Sequence, residues 1–112
     1  MSAPILSWVY LGLAGLLEVA WAVGLKLSRG LDLAERPVQT VLTVSAMAAS
    51  VILLGVAARH LPIGTAYAIW VGIGAAGTAI AGMMMFDEPA TLARIAAIAV
   101  IVAGVVGLKL AS

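Results

Sequence analysis

The sequence predicts an all-α membrane protein with four transmembrane helices in each chain. Composition is the first observation behind this prediction, since 64% of the 112 residues are hydrophobic and only 10% are charged. Soluble domains carry about 25% charged residues, and a chain this small has too few polar groups to cover its surface in water. The second observation is that the apolar residues form four runs of about 20, the length that crosses a bilayer as a helix.

The first two predicted spans are joined by a charged connection. The first span runs to the vicinity of Gly30, where S-R-G-L-D-L-A-E-R-P interrupts the apolar pattern. The second begins after Pro37, a residue favoured in the first turn of a helix, and it carries no charge before A-R-H-L-P. These two spans are about residues 5–27 and 38–58.

The last two predicted spans complete the chain. The third is closed by D-E-P, and the fourth reaches almost to the final residue. They cover about residues 63–86 and 91–110. Because the three connections between the four spans are short, we expect residues 1–112 to form a single four-helix transmembrane domain.

Several classes of function are disfavoured by the same composition. The formal net charge is +1, so there is no basic surface for nucleic acid. The chain has no cysteine and one histidine, which leaves no metal site and no catalytic set of serine, histidine and acid; we therefore expect neither an enzyme nor a cofactor. The N-terminus M-S-A-P-I-L lacks a basic segment, so a cleaved signal peptide is not expected.

A single carboxylate, Glu18, lies in the middle of the first span, in A-G-L-L-E-V-A-W-A-V-G. No other charged side chain occurs between Ala3 and Leu25. An acidic group near the bilayer centre is costly and usually faces a cavity or a partner. No Lys, Arg or His lies in the middle third of any span, so Glu18 has no counter-ion in the membrane within its own chain. A proton and an organic cation therefore become competitors for Glu18. The alternative is a permanently protonated glutamate that only joins helices.

The candidate lining around Glu18 combines small, hydroxyl and aromatic residues. Trp21 lies on the Glu18 face of the first span, and Ser50 is the hydroxyl nearest the middle of the second. Tyr67 and Trp70 are three residues apart, and aromatic rings beside a buried anion suit a flat or quaternary cation. An interfacial aromatic belt is the alternative, but Trp70 lies about 10 Å into its helix. The predicted lining is Gly15, Trp21, Ser50, Tyr67 and Trp70.

Two further patterns concern helix packing. Residues 72–77 read G-I-G-A-A-G, which satisfies a dinucleotide-binding pattern but lies outside the βαβ unit that gives this pattern meaning. We therefore interpret it as close helix packing. On the fourth span, Ala99, Ala103 and Gly107 recur at four-residue spacing beside Gly104. Such small residues let helices approach in lipid, either within one chain or between two copies.

Three segments of the chain carry a recognisable pattern. They are L-L-E-V-A-W-A-V-G-L-K in the first span, L-P-I-G-T-A-Y-A-I-W-V-G-I-G at the third and G-V-V-G-L-K near the end. Together they resemble the small multidrug resistance family, and E-V-x-W with G-L-K is similar to its guanidinium exporter subtype. The resemblance implies an antiparallel, dual-topology homodimer in the inner (plasma) membrane that exchanges protons for guanidinium.

The resemblance also implies roles for individual residues. Glu18 of both subunits would bind either a proton or the substrate, and Gly15 would leave room beside it. The hydrogen-bonding and stacking partners of the glutamate would be Trp21, Ser50, Tyr67 and Trp70. One departure is the first connection, L-D-L-A-E-R-P, which is a few residues longer than usual and bears on topology or on pairing with a homologous chain.

The expected function is therefore proton-coupled antiport that exports guanidinium and related cations by alternating access. One alternative is the same machinery acting on larger hydrophobic or quaternary ammonium cations. An alternative of another class is a structural or assembly subunit of the membrane, in which Glu18 only joins helices.

The distribution of basic residues bears on orientation in the membrane. Lys and Arg in short loops set the direction of insertion. Four of them lie toward one side and two toward the other, which is a weak bias, so insertion in both directions is expected. The two groups are Lys26, Arg29, Arg36 and Arg94 on one side and Arg59 and Lys109 on the other.

Overall fold

The computed structural model of the chain describes residues 5–112, which contain four α-helices and no strand. The helices are α1 (Ile5–Leu27), α2 (Pro37–Ala57), α3 (Ile63–Met85) and α4 (Leu92–Leu110). All four are long and apolar enough to cross a membrane, which confirms the predicted all-α fold with four spans. The expectation that no signal peptide is cleaved from the N-terminus depends mainly on residues 1–4, which lie outside the described residues.

Local chemistry sets the helix ends, which differ from the predicted spans by one residue at several places. Pro37 is already part of α2, because a residue without an N–H leaves no donor unsatisfied in the first turn. Thr91 precedes α4 as its cap, since its hydroxyl accepts the backbone N–H of Arg94 at 3.3 Å. Phe86 follows α3 and donates its backbone N–H to the Gly82 carbonyl at 3.0 Å.

The connection after α1 turns sharply. Arg29, Gly30 and Leu31 have φ angles of 53°, 73° and 67°, and this left-handed conformation prevents the right-handed helix from continuing. The Ser28 hydroxyl is buried and accepts the backbone N–H of Leu31 at 3.1 Å. The turn is therefore tied back to the end of α1.

The helices form a thin layer. Helix α1 packs against both α2 and α3, while α4 packs against α3. The described chain is only 17 Å thick in its shortest dimension, and one helix with its side chains is about 10–12 Å across. No residue of α4 is buried. Most of the surface of α4 is consequently left without a protein neighbour among residues 5–112.

Small residues allow the close approach of α1, α2 and α3. Ala14, Ala57 and Ala66 are completely buried, which suits helix association in lipid, where apolar area alone supplies little driving force. The buried core consists of Leu11, Ala14, Leu54, Ala57, Leu61, Ala66, Ile69 and Trp70. This core holds the middle of α1 against α3, where Glu18 lies.

Candidate functional site

Glu18 lies at the contact of α1 with α3 and is half-buried. Its carboxylate rests on Gly74 of α3: a methyl group placed on Gly74 would lie 2.6 Å from Glu18 Oε2. That oxygen is buried and has no hydrogen-bond partner within residues 5–112. A buried acceptor is costly when it has no partner, so Glu18 Oε2 is suited to receive a proton or a cation.

The G-I-G-A-A-G segment of α3 accommodates side chains from two neighbouring helices. One side chain packs over each of its three glycines: Val105 over Gly72, Glu18 over Gly74 and Val19 over Gly77. A larger residue at any of these positions would collide with the side chain above it. Close packing is therefore what this segment provides, as the sequence predicts.

Ser50 joins α2 to both neighbouring helices through two hydrogen bonds. Its hydroxyl donates to the Ala14 carbonyl of α1 at 2.7 Å and accepts from Trp70 Nε1 of α3 at 3.0 Å. All three residues are buried. Ala14 precedes Glu18 by one helical turn, so this chain of bonds fixes α1 just beside the carboxylate, and Ser50 does not itself bond to Glu18 here.

We expect Ser50→Ala to destabilise the protein measurably. The substitution leaves the buried Trp70 indole N–H without an acceptor, which costs about 1–3 kcal/mol of the free energy of unfolding. Thermal unfolding of the purified protein in detergent measures the loss.

Ser45→Ala is the matched control on α2. The Ser45 hydroxyl is exposed and bonds only to the Val41 carbonyl of its own helix at 2.8 Å, so its loss changes stability by no more than about 0.5 kcal/mol. Equal losses for the Ser45 and Ser50 variants would contradict the role given to Ser50.

The remaining predicted residues occupy different parts of the site. Tyr67 is 54% exposed, and its ring lies 5.5 Å from the Trp70 ring at a tilt of 55°. Gly15 is buried under the side chain of Ile73 on α3, so it serves the approach of the two helices. The Trp21 indole nitrogen is buried and finds no acceptor in the part of the chain that the structure describes.

The structure adds two contributors that the predicted lining does not contain. One is the Ala14 carbonyl, and a backbone acceptor has no signal in sequence. The other is Gly74, which the sequence places on the face of Tyr67 and Trp70 but does not pair with Glu18. A glycine one turn after Trp70 is the only signal that was available for that contact. Within residues 5–112, no group of three His, Asp or Glu side chains is placed to hold a metal ion.

Comparison with known families decides which class of membrane protein carries this site. The family model described as Small Multidrug Resistance protein matches residues 6–101. The chain belongs to this family. The resemblance seen in the three sequence segments is thereby confirmed.

This small multidrug resistance protein is also similar to several curated relatives over nearly its whole length. It is 54% identical to a guanidinium exporter of Yersinia pseudotuberculosis, with 96% of this chain and 100% of the relative covered. It is 51% identical to a guanidinium exporter of Proteus vulgaris, again covering 96% and 100%. For the guanidinium exporter of Escherichia coli K12, the identity is 50% and the coverage 96% and 99%.

Family membership and the four spans confirm several expectations together. The small multidrug resistance protein is a transport protein and not an enzyme. It is a multi-pass protein of the inner membrane. The alternative of a structural or assembly subunit is therefore not supported.

The small-residue stripe on α4 of this small multidrug resistance protein faces away from its own chain. Ala99, Ala103, Gly104 and Gly107 are all exposed. Apart from the adjoining stretch of α4 itself, no atom of residues 5–112 lies within 4 Å of the position that a methyl group would take on Gly104 or Gly107. Of the two possibilities for the stripe, packing within the chain therefore does not occur.

Proposed function

We propose that this chain exports guanidinium and related guanidinyl cations across the inner membrane in exchange for protons. The observation that carries the proposal is Glu18, a carboxylate in the middle of a span whose buried oxygen has no partner among the described residues. Relatives that are 50% and 54% identical and are named guanidinium exporters support the choice of cation.

Exchange follows from the chemistry of a single anionic group. Guanidinium is planar, stays charged at physiological pH and presents paired N–H donors that match a carboxylate. A carboxylate that holds a proton has lost the charge that attracts the cation. Each therefore displaces the other at Glu18, and alternating access to the two sides of the membrane turns this competition into antiport.

The predicted lining supplies the rest of the proposed binding site. The Trp21 indole N–H is a buried donor without an acceptor among residues 5–112, and the paired rings of Tyr67 and Trp70 offer an aromatic surface for a flat cation. Ser50 holds Trp70 in place through its hydrogen bond. The residues proposed to surround the glutamate are Gly15, Trp21, Ser50, Tyr67 and Trp70.

We further propose that residues 1–112 act as a single four-helix domain in an antiparallel homodimer. One chain is a layer 17 Å thick, and it supplies one glutamate in the middle of its spans. The exposed small residues of α4 provide a surface for close contact with a second copy. Two opposite copies give inward-open and outward-open states of similar energy, because exchanging the subunits' roles converts one state into the other.

Transport by the purified protein in liposomes tests the proposed function. An imposed guanidinium gradient should drive proton movement in the opposite direction, measured with an entrapped pH-sensitive dye, and tetra-alkylammonium ions should drive less. A larger proton flux with tetra-alkylammonium would favour the alternative substrate class of larger hydrophobic or quaternary cations. No proton movement with either cation would contradict proton-coupled export.

Labelling of a single cysteine tests the dual topology. The chain has no cysteine of its own, so Ser112→Cys provides one reactive group at the exposed C-terminus. In whole cells, an impermeant maleimide added before or after permeabilisation should label roughly equal populations from the two faces, as the weak charge bias predicts. Labelling from one face alone would exclude an antiparallel homodimer.

A further inference from the structure

An apolar groove lies between α1 and α4, where α3 separates the two helices. Its volume is about 200 Å³. Trp8 and Gly12 line it on α1, Ile73 on α3, and Val105 and Lys109 on α4. Lys109 is the only charged side chain among its lining residues, and the others are apolar or aromatic. We call this space the Trp8 groove.

The Trp8 groove begins at one surface of the membrane. Trp8 lies three residues after the start of α1 at Ile5, and Lys109 is the penultimate residue of α4. Lys109 Nζ lies 4.9 Å from the centre of the Trp8 ring, so these two side chains lie at the same boundary between hydrocarbon and water. Tryptophan favours the depth of the lipid headgroups, whereas Gly12 lies about one helical turn deeper. The groove therefore runs from the level of the headgroups into the hydrocarbon.

The positive charge at this end of the chain is not neutralised by acidic side chains. Apart from Glu18, every Asp and Glu lies in the α1–α2 or the α3–α4 connection, at the opposite end of the helices. There Arg94, for example, pairs with Glu88 at 3.3 Å. Lys109 and Arg59 share their end of the helices with no acidic side chain. An anionic group is therefore favoured beside Lys109.

The Trp8 groove and the small-residue stripe lie on different sides of the contact between α3 and α4. Val105 packs over Gly72 where these helices meet. A separate hollow beside this contact is lined by Val71 and by Gly104 of the stripe. Val71 and Ile73 are two residues apart, which places them on nearly opposite sides of α3. A second copy that packs on the stripe therefore leaves the Trp8 groove open to lipid.

We propose that the Trp8 groove binds an anionic phospholipid, with one acyl chain in the groove and the headgroup phosphate at Lys109. The apolar lining accepts the hydrocarbon chain, and the phosphate supplies the negative charge that this end of the protein lacks. Basic residues beside a gap between membrane helices select anionic headgroups in this way. Because the backbones of α1 and α4 stay apart within residues 5–112, the bound chain fills the space between them. None of the residues proposed to bind guanidinium lines this groove.

Photo-crosslinking in vesicles of defined composition tests the choice of lipid. The protein is reconstituted in phosphatidylcholine that contains a small fraction of either phosphatidylglycerol or phosphatidylcholine with a diazirine on one acyl chain. Mass spectrometry then compares labelling of the Trp8 groove with labelling of the exposed side of α2. Phosphatidylglycerol should label the groove about fivefold more than phosphatidylcholine, as one lysine near the surface allows, and α2 should show no such preference.

Two results of this comparison would overturn the proposal. One is equal labelling of the Trp8 groove by the two lipids, because the groove would then have no preference for an anionic headgroup. The other is labelling of α2 but not of the groove by either lipid, because a second copy of the chain would then cover the groove. None of these measurements depends on transport, so they decide the lipid site separately from the proposed function.

Lys109→Gln tests the contact with the headgroup. This variant should lose the preference for phosphatidylglycerol while the groove still takes up an acyl chain. Arg59→Gln is the matched control, because it removes an exposed positive charge from the same end of the helices and does not line the groove. It should keep the preference. Equal losses in the two variants would indicate a general attraction of this surface for anionic lipid and would overturn the site.

Gly12→Leu tests the position of the acyl chain. Apart from the adjoining stretch of α1 itself, no atom of residues 5–112 lies within 4 Å of a methyl group placed on Gly12. A leucine side chain therefore enters the groove, and labelling of the groove by either lipid should be largely lost. Gly55→Leu is the control on α2, where an added methyl group is equally free of contacts, and it should be labelled like the unsubstituted protein. Undiminished labelling of the groove in Gly12→Leu would overturn the proposal.

Discussion

Glu18→Gln is expected to abolish the exchange of protons for guanidinium while leaving the helices assembled. Glutamine has nearly the same shape as glutamate and still fits against Gly74 of α3, where the Glu18 carboxylate lies. It can neither take up a proton at neutral pH nor pair with a cation. Removing one partner of a buried charge pair costs about 3–5 kcal/mol, a loss of roughly a hundredfold or more in affinity. Proton flux in liposomes and equilibrium binding of guanidinium measure the two losses.

Glu35→Gln is the control for this change. Glu35 lies exposed in the connection between α1 and α2, so the Glu35→Gln variant should transport at the rate of the unsubstituted protein. Glu18→Asp should retain part of the activity with a shifted pH dependence, because the carboxylate withdraws by one methylene. In the proposed homodimer the two Glu18 side chains titrate as a coupled pair, so the apparent pKa values belong to the pair and not to either residue. Continued proton-coupled exchange by Glu18→Gln would show that another group carries the proton.

Gly74→Ala is expected to produce the second largest loss of transport. The added methyl group would lie 2.6 Å from Glu18 Oε2, a distance that forces the carboxylate or the helix to move. Displacement of a reacting group by about 1 Å is sufficient for a loss of up to a hundredfold. We therefore expect guanidinium binding and proton-coupled flux to fall together, and overpacking to lower the free energy of unfolding by about 1–3 kcal/mol.

Gly64→Ala separates this steric effect from the general preference of a helix for alanine. Gly64 lies on α3 as well, but apart from the adjoining stretch of α3 itself no atom of residues 5–112 is within 4 Å of the methyl group that alanine would add. This variant should bind and transport normally. If Gly74→Ala also bound guanidinium with undiminished affinity, the seating of Glu18 on Gly74 would have no part in substrate binding.

The sequence alone determined the class of this protein and indicated Glu18 as the functional group proposed here. Four apolar runs separated by charged connections predict four spans because the bilayer thickness dictates their length, and α1 to α4 have those positions. Glu18 is recognisable because a charge within a span is too costly to be incidental. The motifs around it indicate the small multidrug resistance family, which the match over residues 6–101 confirms.

Only the tertiary structure decided how the helices face one another. In a soluble helix, the apolar stripe identifies the buried side, but these spans are apolar all round and carry no such mark. The sequence therefore contains several hydroxyl residues on α2 and no indication that Ser50 is the one that bonds to both Ala14 and Trp70. It likewise contains glycines on α3 without indicating that Gly74 receives Glu18.

The same reason explains the position of α4. Short connections limit where α4 begins, but its rotation and its separation from α1 and α2 depend on which side chains interlock, here Val105 over Gly72. Bilayer thickness and the cost of a buried charge act on each segment separately, so their effects can be predicted from sequence. The packing of one helix against another depends on two surfaces at once, so only the tertiary structure shows it.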